Sequence, residues 1–331
     1  MNAVTLPQLP QAAYTALGSE VFRGLTSRPR TLSPWLFYDH EGSHLFEQIT
    51  QLDEYYLTRT ERSIFQANAD AILAAASVPT PHGLQRDLTV IELGAGTATK
   101  TGLLLEAAVR RQEAVTYYAI DVSASALHEA QRNLTAAIPG ITFESRVADY
   151  TEGLGEIPAD GTRRLVLYIG SSLGNFEPAD ARQLLRDVRN QLAPGDMLLL
   201  GLDLVKDVPT LIAAYDDTRG VTAAFNRNLL ARINRELGAD FDLMKFRHKV
   251  CWNGERARIE MHLESLVAQE VSIPALELCI PFRRGETIHT ENSYKFTVDG
   301  AQHLLAHTGF TVVDHWTGPR SWFGVFLARV H

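Results

Sequence analysis

The residues that could do chemistry in this chain lie at the ends of successive strand-like runs. The apolar run Leu88–Leu93 carries Glu92 and leads into Gly94-Ala-Gly96-Thr97 and then a helix-like segment. A strand that turns through closely spaced glycines into a helix lets backbone approach a nucleotide-like ligand. Asp121 closes the next strand-like run, where a carboxylate can accept both hydroxyls of a ribose. Asp149 and Tyr150 follow the third and offer an acceptor for an adenine amino group and a ring to stack on it. Glu92 beside the glycines opposes a pyrophosphate but suits a cation, and Thr99 stands where a dinucleotide fingerprint wants a third small residue. S-adenosylmethionine has a sulfonium, an ammonium, a ribose and an adenine but no phosphate, so it fits this set better than a nicotinamide dinucleotide.

Two other classes use parts of the same pattern. A nicotinamide oxidoreductase shares the fold and Asp121 but conflicts with Glu92 and Thr99. A non-catalytic module that senses S-adenosylmethionine needs the cofactor residues and no amine pocket. Nucleic acid is not expected as a partner: Asp and Glu exceed Lys and Arg by eight, whereas phosphate binding needs clustered cations. Cys251 and Cys279 form no CxxC, so neither a disulfide framework nor a thiolate zinc site is read, and the usage suits a reducing cytoplasm. His40 and His44, like His303 and His307, share i,i+4 spacing but lack the Glu of H-E-x-x-H, so no metal is expected. Trp252, Trp316 and Trp322 read as core, Lys206 and Asp207 as a solvated pair near the end of a strand, and Asp216 and Asp217 as solvated face.

The elements that must position these residues follow from periodicity. Strands are expected at 88–93, 116–120, 141–147, 164–169 and 197–202, with helices between them at about 99–111, 123–137 and 178–192. Strands alternating with crossover helices imply a doubly wound, mostly parallel α/β sheet. The stretch 207–294 breaks this rhythm; a helix near 301–307 and strands 311–316 and 322–330 then resume it, the last two as an antiparallel pair across Gly318-Pro319. The expected layout is one domain of 62–206 plus 295–331, interrupted by a smaller α+β domain of 207–294 that the residues 1–61 complete. The start of the chain has no signal-peptide pattern and no run is long enough to span a bilayer, so a cytoplasmic location is expected; a monomer is expected too.

Five segments carry a resemblance: FYDHEGSHLF at 37–46, LDEYYLTRTE at 52–61, ELGAGTATKT at 92–101, GSSLGNF at 170–176 and LDLVKD at 202–207. They resemble the histidine-specific N-alpha-methyltransferases of ergothioneine biosynthesis, from about Phe22 to the C-terminus. The resemblance implies a Rossmann-like class I methyltransferase sheet with an inserted substrate domain, and S-adenosylmethionine held by Gly94, Lys100, Asp121, Asp149 and Tyr150, with Glu92, Gly96 and Thr97 in the same turn. It implies that Asn175 and Tyr215 bind the amino-acid end of the substrate, with Gly170 and Tyr38 near the amine. Tyr55, Glu291 and Ser293 would read the imidazole, and Phe46, Met261 and Asn292 would complete the pocket. The implied product is N-alpha-trimethylhistidine (hercynine), made by three successive transfers in the first step of ergothioneine biosynthesis. Relatives acting on indole amino acids make another amino acid such as tryptophan the alternative substrate. A carboxylate at Glu291 favours an imidazole, because an indole offers one donor and no cation. Positioning is expected to dominate the chemistry, with the amine proton lost to solvent rather than to a dedicated base, and Tyr38 as the alternative acceptor.

Overall fold

Runs such as Leu88–Leu93, Arg163–Tyr168 and Met197–Asp203 are buried along their whole length, as parallel strands covered on both faces must be. The computed structural model describes residues 10–77, 87–148, 155–159 and 161–331. Among them a seven-stranded sheet has the order Phe310–Thr317, Phe323–Val330, Met197–Asp203, Arg163–Tyr168, Leu88–Leu93, Val115–Asp121, Ile141–Val147. The five strands from Met197–Asp203 to Ile141–Val147 are parallel, and the C-terminal pair closes the edge antiparallel. Strand order reverses between Leu88–Leu93 and Arg163–Tyr168. In an open α/β sheet, ligands bind at such a switch point, beyond the carboxyl ends of the strands.

Helices start where the side chains say they should. Ser123 caps Ala124–Ala137 and Thr297 caps Val298–His307, each accepting a backbone N–H of the first turn. Helix Pro178–Gln191 packs Leu184, Leu185 and Val188 against Val166, Leu198 and Leu200 of the sheet. The helix after the glycine turn begins at Gly102, three residues later than expected, because 97–101 continue the turn.

The chain divides into two compact units. The sheet unit comprises Tyr55–Val208, Gly254–Arg258 and Ser293–His331. The other comprises the residues up to Glu54, Pro209–Asn253 and Ile259–Asn292, so N-terminal chain and insertion share it. The boundary falls at Tyr55 rather than after residue 61 because helix Tyr56–Ala76 anchors Tyr56 and Glu61 in the sheet unit. The smaller unit holds most of a four-stranded sheet, in the order Arg30–Thr31, Thr287–Tyr294, Arg258–Ser265, Phe246–Asn253, and a hairpin of Gln269–Ile273 with Leu278–Phe282. Helices His40–Thr50 and Val221–Leu237 pack together, with Phe37 stacked on Phe225 at 4.5 Å. Asp39 caps the first of these through Gly42 and also accepts from Asn228 and Arg235 of the second.

Two charge readings are corrected. Asp217 is buried, not solvated: its carboxylate accepts from Val221 and Thr222 at 3.0 and 2.7 Å and supplies the cap that Gly220 cannot. The Lys206 side chain is buried as well, paired with Asp203 at 2.5 Å. No described helix is long and apolar enough to cross a membrane.

The start of strand Met197–Asp203 is fixed by Asp196, a buried carboxylate that accepts from the backbone of Arg164 and Ala193 and pairs with the Arg164 guanidinium at 2.6 Å. Removing one partner of a buried pair strands the other, at about 3–5 kcal/mol. Asp196→Ala is therefore expected to lose about that much unfolding free energy in urea titration; a loss below about 1 kcal/mol would contradict this role.

Candidate active site

The turn after the first strand of the seven-stranded sheet is built on backbone that other residues tolerate poorly. Gly94 and Gly96 lie at φ +74° and +53°. The Gly94 N–H reaches Ile120 O at 2.8 Å, and the Gly96 N–H reaches Asp121 Oδ2 at 2.8 Å. No atom lies within 4 Å of where a Gly96 Cβ would stand, so the outer side of the turn is open to a ligand. Asp121 also takes the Ser123 N–H on Oδ1 at 2.8 Å, and burial raises its carboxyl above the ordinary range. Acceptor capacity remains on the carboxylate for a ribose hydroxyl. An adenosyl ligand without phosphate fits this donor and acceptor set. The Thr97 hydroxyl lies 3.0 Å from that of Thr99. Asp149 and Tyr150 lie outside the described residues.

Glu92 stands one layer beneath the turn. Its Oε2 accepts from Tyr117 at 2.5 Å and Thr101 at 2.7 Å, and the side chain is fully buried. Burial pushes its carboxyl up to about 7, against the lowering effect of those hydrogen bonds and of Lys100. The Tyr117 phenol is pushed well above its usual value by burial and by Glu92.

Sequence reasoning gave Glu61 no role, yet it links two loops at this end of the sheet. It is fully buried in helix Tyr56–Ala76, accepts the Gly170 N–H at 2.9 and 3.1 Å, and forms an ion pair with Lys100. A Cβ on Gly201 would stand 2.1 Å from its Oε1, so that strand needs glycine there. The signal was present: Leu57, Glu61, Ile64, Phe65, Ala69 and Ile72 form one buried helical face with an acid inside it. Gly170, at φ +78°, starts the loop that ends in Asn175, the last residue of the short helix Ser172–Asn175.

A second buried cluster closes the strand Met197–Asp203. Asp203 accepts from Tyr56 at 2.8 Å, Lys206 at 2.5 Å and Lys295 at 2.8 Å, and its own N–H reaches Ser171 Oγ. Lys206 also donates to the Tyr56 hydroxyl at 2.6 Å, and burial lowers its ammonium to about 8 although Asp203 opposes the shift. Ser293 accepts from Lys295 at 2.7 Å. Tyr55 is buried ahead of the helix and its carbonyl takes Arg59. The sheet unit thus brings together Glu92, Gly94, Gly96, Lys100, Asp121 and Gly170, and also carries Tyr55, Asn175 and Ser293.

The smaller unit carries the remaining expected substrate residues. Tyr38 and Phe46 lie edge-on at 5.8 Å, both against Phe225. Tyr215 is buried, and its carbonyl is 2.8 Å from His248 Nε2. Met261 is buried, and its carbonyl accepts from Thr290. Glu291 is half-buried on strand Thr287–Tyr294, and Asn292 Oδ1 faces His289 Nε2 at 2.9 Å.

A family model described as histidine-specific methyltransferase, SAM-dependent, matches residues 17–330. The histidine N-alpha-methyltransferase of Mycolicibacterium smegmatis is 45% identical over 317 residues, 96% of each chain. That of Mycobacterium tuberculosis is 42% identical over 317 residues, again 96% of each. Among solved structures, magnesium protoporphyrin IX methyltransferase from Synechocystis with bound SAH matches 89% of this chain and 97% of its own, at 12% identity and a TM-score of 0.45.

The raised Glu92 carboxyl has a measurable consequence. Unfolded, it ionises near 4.5; folded, near 7, so between these values the folded chain holds the extra proton. Its stabilising contribution is complete below 4.5 and is lost as pH rises to about 7. Relative to Glu92→Gln, the unmodified protein should lose unfolding free energy over that window and hold a constant difference above it. Urea titrations at a series of pH values would read this, and parallel stability curves would contradict it.

Proposed function

Because the chain belongs to the family of S-adenosylmethionine-dependent, histidine-specific methyltransferases, we propose that its substrate is L-histidine and its product N-alpha-trimethylhistidine, formed in three transfers to the alpha-amino nitrogen. It is an S-adenosylmethionine-dependent N-methyltransferase, and the reaction is the opening step of ergothioneine biosynthesis. When bound, S-adenosylmethionine supplies an electrophilic methyl group on a sulfonium. The rest of the chemistry is positioning: a neutral amine must lie about 3–3.5 Å from that carbon and in line with it.

In this reading, Gly94, Gly96 and Thr97 receive the cofactor along an open turn, Asp121 takes the ribose hydroxyls, and Asp149 and Tyr150 take the adenine. Lys100 is held on Glu61, and Glu92 supports the turn from beneath, through Tyr117 and Thr101. Asn175 and Tyr215 hold the substrate's amino-acid end, and Gly170 and Tyr38 lie near the amine. The amine proton goes to solvent or to water beside Tyr38. Tyr55, Glu291 and Ser293 read the imidazole, while Phe46, Met261 and Asn292 shape its surroundings. We further infer a cytoplasmic monomer acting on small molecules without nucleic acid, in keeping with a net charge of -8.

The observation that carries the histidine reading is the Glu291 carboxylate, set two residues before Ser293 on strand Thr287–Tyr294. An acid there accepts an imidazole N–H and favours a cationic ring, whereas an indole offers one donor and no cation. Incubation with S-adenosylmethionine and each amino acid, followed by mass spectrometry, should show a gain of three methyl groups on histidine; a gain on tryptophan instead would overturn the assignment. Losing a hydrogen bond to a charged group costs about 1.5–3 kcal/mol, roughly ten- to a hundredfold in affinity. Glu291→Ala should weaken histidine binding by that factor in calorimetry, and unchanged affinity would remove Glu291 from the site.

A further inference from the structure

The sheet of the smaller unit carries a second group of chemically able side chains that methyl transfer does not use. Cys251 lies on strand Phe246–Asn253, and Glu260 and His262 lie on the adjacent strand Arg258–Ser265. Glu260 and His262 are two residues apart and so share one face. One ligand atom from each of the three residues lies within 4.8 Å of the other two.

The separations are poor for hydrogen bonds and good for a shared cation. Cys251 Sγ is 3.8 Å from Glu260 Oε2, and His262 Nε2 is 3.4 Å from the same oxygen. Zinc binds thiolate at about 2.3 Å and imidazole or carboxylate at about 2.0–2.1 Å, which makes the ligand-to-ligand edges of a tetrahedral site about 3.3–3.6 Å. The two edges to Glu260 therefore need only small side-chain adjustments. Asn253 donates to the other carboxylate oxygen, Oε1, at 2.9 Å and so turns Oε2 toward the cysteine and histidine. The Glu260 carboxylate can only accept, so in the metal-free chain His262 Nε2 carries the ring proton, and binding a cation through Nε2 moves that proton to Nδ1, which is buried with no hydrogen-bond partner. The ring of His289 lies 5.1 Å from that of His262, centroid to centroid.

We propose that Cys251, Glu260 and His262 form a binding site for a zinc ion, with three protein ligands and one position left for water. The ligand set is one thiolate, one carboxylate and one imidazole, which suits borderline-soft Zn2+ over Mg2+ or Ca2+. Binding releases the Cys251 thiol proton to solvent. Sequence spacing could not reveal the site, because its ligands come together only when two strands pair.

The test uses the full chain, freed of metal by a chelator and then titrated with Co2+ and Zn2+. The expected result is one metal ion per chain and a thiolate-to-cobalt charge-transfer band that Zn2+ discharges. The band should vanish in Cys251→Ser, and zinc affinity should fall about tenfold or more in His262→Gln, with circular dichroism confirming that both variants fold. Failure of the unmodified chain to take up zinc would overturn the proposal. So would persistence of the band in Cys251→Ser, which would move the thiolate to Cys279, or unchanged zinc affinity in His262→Gln.

Discussion

The arrangement of the catalytic end of the sheet depends on one buried carboxylate. Glu61 enters from a helix, receives the N–H of Gly170 from one loop and pairs with Lys100 from another. A carboxylate with no exposed surface is costly to bury unless its oxygens are all engaged, so the three elements must arrive together. Gly201 makes the approach possible, since any side chain there would collide with Glu61. The same helix and the same strand are tied a second time, where Tyr56, Lys206 and Lys295 converge on Asp203. Residues assigned to the cofactor and to the amine thus rest on a frame of buried charge, whereas the sheet beneath it is held by apolar packing.

This frame explains why the chain is cut where it is. Helix Tyr56–Ala76 follows residues that fold with the insertion, yet its first turns hold acceptors and donors of the sheet unit, so the division falls just before it. The acidic excess has a similar logic. Glu61, Glu92, Asp121, Asp196, Asp203 and Asp217 are not a solubilising coat: each has defined hydrogen-bond donors inside its own unit.

Much of this was legible in the sequence. Strand Ile141–Val147 and the Ser123 cap appear where periodicity and capping chemistry put them, and the parallel sheet follows from strands alternating with helices. What periodicity did not reveal were charges with inward duties. Asp217 and Lys206 read as solvated because acids and lysines usually are, and only tertiary packing decides otherwise. Glu61 sat inside a recognisable run, but the donors that make it central come from Lys100 and Gly170, well along the chain. Cys251, Glu260 and His262 show the same limit, since strand pairing rather than spacing brings them together.

We propose that Glu61 holds Lys100 where the cofactor needs it and Gly170 where the amine does. Calorimetric titration of S-adenosylmethionine into Glu61→Gln, with circular dichroism to establish that the variant is folded, tests it most directly. The glutamine keeps the volume and one acceptor but loses the charge that fixes Lys100, so cofactor affinity should fall roughly ten- to a hundredfold. A folded variant that binds S-adenosylmethionine as tightly as the unmodified chain would contradict the account.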